Sequence, residues 1–281
     1  MNTLAKSTVC ALYKYSGAMH AQERLAYWSG RRFMSIALFH RVTDEIPEDG
    51  LTVSTAWFRG FCELMHDRFN VISLSEMYRI LQRGETPPRR TVAITFDDCY
   101  RDNLFAARVL AEHHLPATFF VPTRFVETDY LFPWDRHLKR MPNLGWHDVN
   151  EMMQLGHEIG SHTVTHPNLG VVDPDTARLE LGDSKKTLED RLQRPVRWFA
   201  YPYGGRSNFR PNYLRLAAEL GYDACFSGYG GCVQPHMLGQ VLPRENITFF
   251  RSLVNLELHL AGCLDWFYQL KRSVGLLSVL P

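Results

Sequence analysis

The sequence predicts an α/β protein whose parallel strands curl into a closed or nearly closed barrel. Three observations predict it. Short apolar or β-branched runs alternate with helix-like runs of ten or more residues. Six or seven such units fit within the 281 residues. No glycine-rich phosphate loop follows the first strand, as an open doubly wound sheet would normally require.

The elements follow in chain order. SIALFH is a strand ending at His40. STAWFRGFCELMHDRF carries Phe58, Phe61, Leu64, Met65 and Phe69 at helical spacing, with Ser54 as its N-cap. NVISL is a short strand, and SEMYRILQRG is a helix closed by Gly84. The loop ETPPRR leads into the strand TVAITF. DNLFAARVLAEHHL is a helix, PATFFV a strand, WHDVNEMMQLG a helix and HEIGSH a strand. DTARLELGDSKKTLEDRL places Leu181, Ser184, Leu188 and Leu192 along one helix side. WFAY is a strand, NYLRLAAELG a helix and DACFS a strand.

This pattern divides the chain into an N-terminal helical extension (1–33), a catalytic domain (34–250) and a C-terminal amphipathic helix (251–281). Leu253, Leu256, Leu260, Leu264 and Phe267 give that helix its apolar side. It is expected to pack on the barrel. Docking on a membrane surface through Trp266, Lys271 and Arg272 is the alternative. A net charge of +1 with scattered basic residues gives no electrostatic case for nucleic acid. The six cysteines lack any Cys-x-x-Cys pair and read as reduced thiols. With no secretory segment and no apolar run long enough to span a bilayer, a cytoplasmic protein is expected.

VAITFDDCY raises the chemical question, because a buried strand ends on two carboxylates, Asp97 and Asp98. Like charges this close repel, and a bound cation would relieve both. A surface turn in which Asp98 caps the next helix is the plainer reading of the pair alone. SHTVTH adds His162 and His166, four apart, able to present both imidazoles on one side. Imidazole nitrogen with carboxylate oxygen suits zinc and other first-row divalent ions. In WFAYPYGGRSN, proline and two glycines after a strand could turn amide N–H groups into a site.

TFDD, then SHTVTH, then FAYPYG resembles the carbohydrate esterase family 4 polysaccharide deacetylases, the NodB homology domain. The resemblance spans roughly Ile36 to Ile247. LFHRV and GHEIGSHTVTHPNL resemble especially the branch found in exopolysaccharide and surface-glycan assembly. It implies a distorted (β/α)7 barrel and metal-dependent removal of acetyl from an N-acetylated sugar. It also implies a base at Asp97 and metal ligands at Asp98, His162 and His166. The ion, zinc with cobalt or nickel as alternatives, would activate water and polarise the amide carbonyl. Asp97 would take the water's proton, and the Tyr203 backbone N–H, in the loop that also holds Tyr201, would stabilise the oxyanion.

The chain departs from the family pattern twice. Many members carry an arginine where this chain has Ala200, and Arg244 or Arg101 is expected to replace it. The family's late Leu-x-His acid is not evident. LELH, ending at His259, falls in the helical tail, whereas His40 ends a strand and is the expected general acid, a role the resembling branch gives to an early histidine. Cys99 stands where glycine is common, as a small buried side chain. Trp134, Trp146 and Tyr201 could stack on sugar rings or pack in the core.

The expected substrate is an N-acetylated saccharide, either a glycan or a lipid-linked intermediate, processed at the inner face of the membrane. A deformylase or ring-amide hydrolase on the same scaffold is the second reading, separated by acetate against formate release. An inactive carbohydrate-binding protein is the third, and failure to bind metal would favour it.

Overall fold

A computed structural model describes residues 33–261 and positions 16, 17, 21, 24 and 25. The predicted N-terminal extension and the tail beyond residue 261 lie outside the described residues, apart from those positions.

The sheet is built from β1 (Ser35–Phe39), β4 (Asn70–Val71), β5 (Thr91–Phe96), β6 (Ala117–Val121), β7 (Glu158–Ser161), β8 (Trp198–Ala200), β9 (Ala224–Phe226), β10 (Val241–Leu242) and β11 (Glu245–Asn246). Its order is β10-β9-β8-β7-β6-β5-β1-β11, with β4 on the start of β5, and its strand pairs are parallel. A separate pair joins β2 (Arg41–Val42) to β3 (Thr52–Val53). Seven α-helices flank the sheet among the described residues: α1 (Thr55–Arg68), α2 (Leu74–Arg83), α3 (Asp102–Glu112), α4 (Trp146–Gln154), α5 (Pro174–Leu192), α6 (Pro211–Glu219) and α7 (Leu253–Leu260).

The sheet's curvature follows from one short connection. β10 and β11 occupy opposite edges, yet only Pro243 and Arg244 separate them in sequence. Three Cα–Cα steps span about 11 Å at most, so the sheet curls until its edges nearly meet. This is the parallel, nearly closed barrel that the alternation predicts, with the distortion that the resemblance implies. The sequence reading found neither β10 nor β11, because each is two residues long and carries no periodicity.

Helix boundaries follow their caps. The Ser54 hydroxyl accepts from Trp57 N at 3.4 Å, and the Ser73 hydroxyl accepts from Glu76 N at 3.1 Å. Each such cap is worth ~1 kcal/mol. Gly84 ends α2 at φ 61°, with its amide turned to the Ile80 and Leu81 carbonyls. α5 buries Leu181, Ser184, Leu188 and Leu192, the side predicted from spacing. Its Ser184 hydroxyl meets that of Ser161 at 2.8 Å, which seats α5 on the end of β7.

Between sheet and helices the core is aromatic. Phe96 stacks on Phe39 at 5.0 Å and on Phe119 at 4.8 Å, tying β1, β5 and β6 together. Pairs of this kind add about 0.5–1.5 kcal/mol beyond their buried area. α7 buries Leu256 and Leu260 and lies against α1. The described part of the amphipathic tail therefore packs on the barrel. Leu264, Trp266, Phe267, Lys271 and Arg272 lie outside the described residues.

Candidate active site

Parallel strands present their C-terminal ends on one face of the barrel. β1 delivers His40 there, β5 delivers Asp97 and Asp98, and β7 delivers His162. Asp97 and Asp98 are 3% and 2% exposed, so the surface-turn reading of this pair does not hold. Asp98 and Cys99 turn through φ 76° and 64°, which swings the second carboxylate into the same cavity as the first. The left-handed turn at Cys99 fits a position where glycine would sit without strain. Its thiol is buried, and burial pushes its pKa up to about 12.

Asp98 Oδ1 lies 3.4 Å from His162 Nε2 and 3.3 Å from His166 Nε2. Burial works to raise the Asp98 pKa, but the two imidazoles outweigh it and hold the carboxyl well below its usual range. The His162 ring donates from Nδ1 to the Ala200 carbonyl at 2.8 Å, which turns Nε2 toward Asp98. Ala200, at the position where many family members carry an arginine, thus contributes through its backbone.

The three ligand atoms lie within 4.8 Å of one another and all three residues are buried. Asp98 Oδ1 has no hydrogen-bond partner, an orphaned buried acceptor that a cation would satisfy. One carboxylate oxygen and two imidazole nitrogens form a donor set suited to zinc and related divalent ions. The residues present therefore fit a metal.

Asp97 faces a different partner. Arg244 donates from Nη1 to Oδ1 at 2.7 Å and from Nη2 to Oδ2 at 2.6 Å. Burial would raise the Asp97 pKa, but Arg244, followed by His162, holds it below the ordinary value. Arg244 also donates from Nε to the Ser227 carbonyl at 2.8 Å and lies over the Phe120 ring. Its place in the β10–β11 seam brings it to the barrel axis. Arg101, the other arginine considered, is exposed and sits 3.9 Å from Asp148, away from Asp97.

The remaining sequence-derived residues separate. His40 is half-buried, its carbonyl held by Asn103 Nδ2 at 2.7 Å. Its Nδ1 is buried without a partner, and burial lowers its pKa against the opposing pull of Asp98 and Asp97. Tyr203 is 52% exposed at φ 63°, with its ring 5.0 Å from that of His166. Gly204 beside it is obligatory, since a Cβ there would stand 2.4 Å from Gly228 N. Tyr201 is a correction. Its ring is fully buried against Phe199 and Phe209, and its N–H donates to the Phe226 carbonyl, so neither group faces the site. His259 pairs with Glu245 at 3.3 Å within the α7 packing.

Sequence reasoning missed a second buried cluster. Arg41 is 1% exposed and donates to Asp135 Oδ1 at 2.5 Å, and the Tyr100 hydroxyl donates to Asp135 Oδ2 at 2.5 Å. Trp134 Nε1 donates to the Tyr100 oxygen at 3.2 Å. The cluster fixes the segment after β6 so that Trp134 lies 5.4 Å from His166 and 5.7 Å from Tyr203, ring to ring. Trp146, by contrast, lies under Arg191. The acid in FPWD, next to a tryptophan in a long connection, was the available signal.

Comparison with known proteins follows the same outline. The polysaccharide deacetylase family model matches residues 84–225. The putative polysaccharide deacetylase YxkH of Bacillus subtilis is 26% identical over 192 residues, 68% of this chain and 62% of its own length. A chitooligosaccharide deacetylase of a Bradyrhizobium strain is 30% identical over 127 residues, 43% of this chain and 49% of its own length. The chain thus spans less than two thirds of these curated relatives. The structure of Streptococcus pyogenes deacetylase PplD in complex with acetate superimposes with TM-score 0.66 at 28% identity, covering 76% of this chain and 92% of that one. IcaB from Ammonifex degensii superimposes with TM-score 0.66 at 19% identity, covering 82% of this chain and 97% of that one, a likeness of fold.

Proposed function

Because this chain belongs to the polysaccharide deacetylase family, we propose that it removes the acetyl group from the nitrogen of an amino sugar, in a glycan or a lipid-linked saccharide. The observation that carries this reading is the buried Asp98–His162–His166 donor set beside the Arg244-held carboxylate of Asp97. The similarity to a chitooligosaccharide deacetylase supports it.

A divalent ion held by Asp98, His162 and His166, zinc with cobalt or nickel as alternatives, would supply Lewis acidity for the water and for the amide carbonyl. Asp97 accepts the water's proton, and the guanidinium of Arg244 keeps it ionised and oriented for this task. The Tyr203 N–H donates to the oxygen on which negative charge develops. His40 delivers the proton that the leaving nitrogen needs, and its pKa, lowered by burial, makes it a ready donor once protonated. Trp134 and Tyr203 line the entrance as a wall for a sugar ring.

The proposed compartment is the cytoplasm, at the inner face of the membrane. The unbridged, buried thiols of Cys62, Cys99 and Cys225 support it. No helix among the described residues is long and apolar enough to cross a membrane. Peripheral membrane contact is assigned to the tail beyond residue 261, and sedimentation with anionic vesicles tests it.

The decisive experiment combines metal analysis with acetate release from a panel of N-acetylhexosamine saccharides. Stoichiometric zinc, cobalt or nickel with acetate release is expected. Formate release instead would make the protein a deformylase, and absence of bound metal would leave a carbohydrate-binding protein.

A further inference from the structure

The loop that joins the two candidate metal histidines is held from outside the site by one side chain. Glu180, on α5, is half-buried. Its Oε2 accepts from Val164 N and from Thr165 N, each at 2.8 Å. Its Oε1 accepts from the Thr165 hydroxyl at 2.6 Å. All three donors lie between His162 and His166. One helical turn further along α5, Ser184 meets Ser161, the residue before His162.

The opposite side of the loop is held as well. The Thr163 and Val164 carbonyls accept from Thr123 N at 3.1 Å and Arg124 N at 3.0 Å. Thr163 and His166 adopt φ 69° and 58°, a conformation disfavoured for side chains with a Cβ and strongly so for a β-branched one. An unsupported loop would relax away from these angles and carry His166 with it. The Glu180 carboxylate is the acceptor that keeps both central amides turned outward, so that the two rings stay on the Asp98 side.

We infer that Glu180 is a positioning residue: by accepting three hydrogen bonds from residues 164 and 165 it sets the His162–His166 bite and thereby the affinity of the site for a divalent metal. This rests on the metal-site reading above. The carboxylate acts through the loop, since both of its oxygens are taken by the loop's donors and the donor set is Asp98, His162 and His166. Its chemistry here is that of an acceptor, so an amide in its place retains most of the function. The Gln oxygen can take both backbone N–H groups while its nitrogen donates to the Thr165 oxygen.

The test is zinc titration, by competition with a chromophoric chelator, of wild-type protein, H166A, E180A, E180Q and T165V. Circular dichroism confirms that each variant is folded. Wild-type binding that H166A abolishes establishes the site itself. E180A is then expected to bind zinc roughly 10- to 100-fold more weakly, the range for lost outer-sphere support. E180Q is expected to stay close to wild type, and T165V to fall between. Wild-type affinity in folded E180A overturns the inference while leaving the metal site intact. So does E180Q as weak as E180A, which would make charge rather than geometry the cause. Should E180A fail to fold, T165V at wild-type affinity overturns it. A wild-type protein that binds no zinc overturns this inference and the metal-site reading together.

Discussion

Arg244 grips both carboxylate oxygens of Asp97, at 2.7 and 2.6 Å, and the pair is buried. The arginine enters from the two-residue seam between the edge strands, not from the strand before Tyr201. The chain thus reaches a bidentate arginine–carboxylate pair by a different backbone route from the one the family pattern suggests. At the position that pattern reserves for arginine, the Ala200 backbone carbonyl accepts from His162.

Removing Arg244 strands a buried carboxylate beside a second one. Arg244→Ala is expected to lower stability by about 3–5 kcal/mol, measured by denaturant unfolding. It should also lower kcat at full metal loading. Arg244→Lys keeps the charge but not the fork, and should recover stability better than turnover. Wild-type kcat in Arg244→Ala would show that Asp97 needs no orienting partner.

Asp97→Asn removes the proton acceptor while preserving shape. We expect kcat to fall by roughly 10²–10⁴-fold while elemental analysis still finds metal, because the donor set is Asp98, His162 and His166. Near-normal turnover would transfer the base role to another group.

Much of this site was legible in the sequence, because its residues sit at strand ends that hydrophobic patterning locates well. TVAITF and HEIGSH announce where a barrel presents Asp97, Asp98 and His162. What was illegible depends on packing at a distance. Arg244 gains meaning only when β10 and β11, two residues each, close the sheet. Tyr201 looked like loop chemistry, yet alternation along β8 turns its ring into the core. Asp135 and Glu180 gain their roles only from partners distant in sequence, Arg41 for the first and the 162–166 loop for the second.

Trp134 stands between Phe132 and the His166–Tyr203 pair, its Nε1 tethered to Tyr100. A sugar ring entering the site would pass this wall. Trp134→Ala is expected to raise KM for saccharide substrates by about 3- to 10-fold, the worth of one aromatic contact, with a smaller change in kcat. Unchanged steady-state constants would leave the ring a purely structural role.

Asp102, the first residue of α3, gives the clearest pH signature outside the site. Its Oδ2 is buried without a hydrogen-bond partner, and burial pushes its pKa up to about 7 from 3.8, against the pull of the Val42 amide and Asn103. The folded protein therefore prefers the protonated acid. A group raised in this way contributes stability that is complete below its unfolded pKa and is lost as the pH climbs through 7. Full desolvation over that interval would be worth ~4 kcal/mol, and the partial exposure of the residue reduces it. Asp102→Asn keeps an acceptor for Val42 and Asn103 and cannot ionise. It should flatten the fall in unfolding free energy between about pH 4 and pH 8, and should exceed wild type by ~1–3 kcal/mol at the upper end. Chemical denaturation across that range measures both curves. Parallel curves for the two proteins would mean that Asp102 is already ionised in the fold, with solvent reaching its second oxygen.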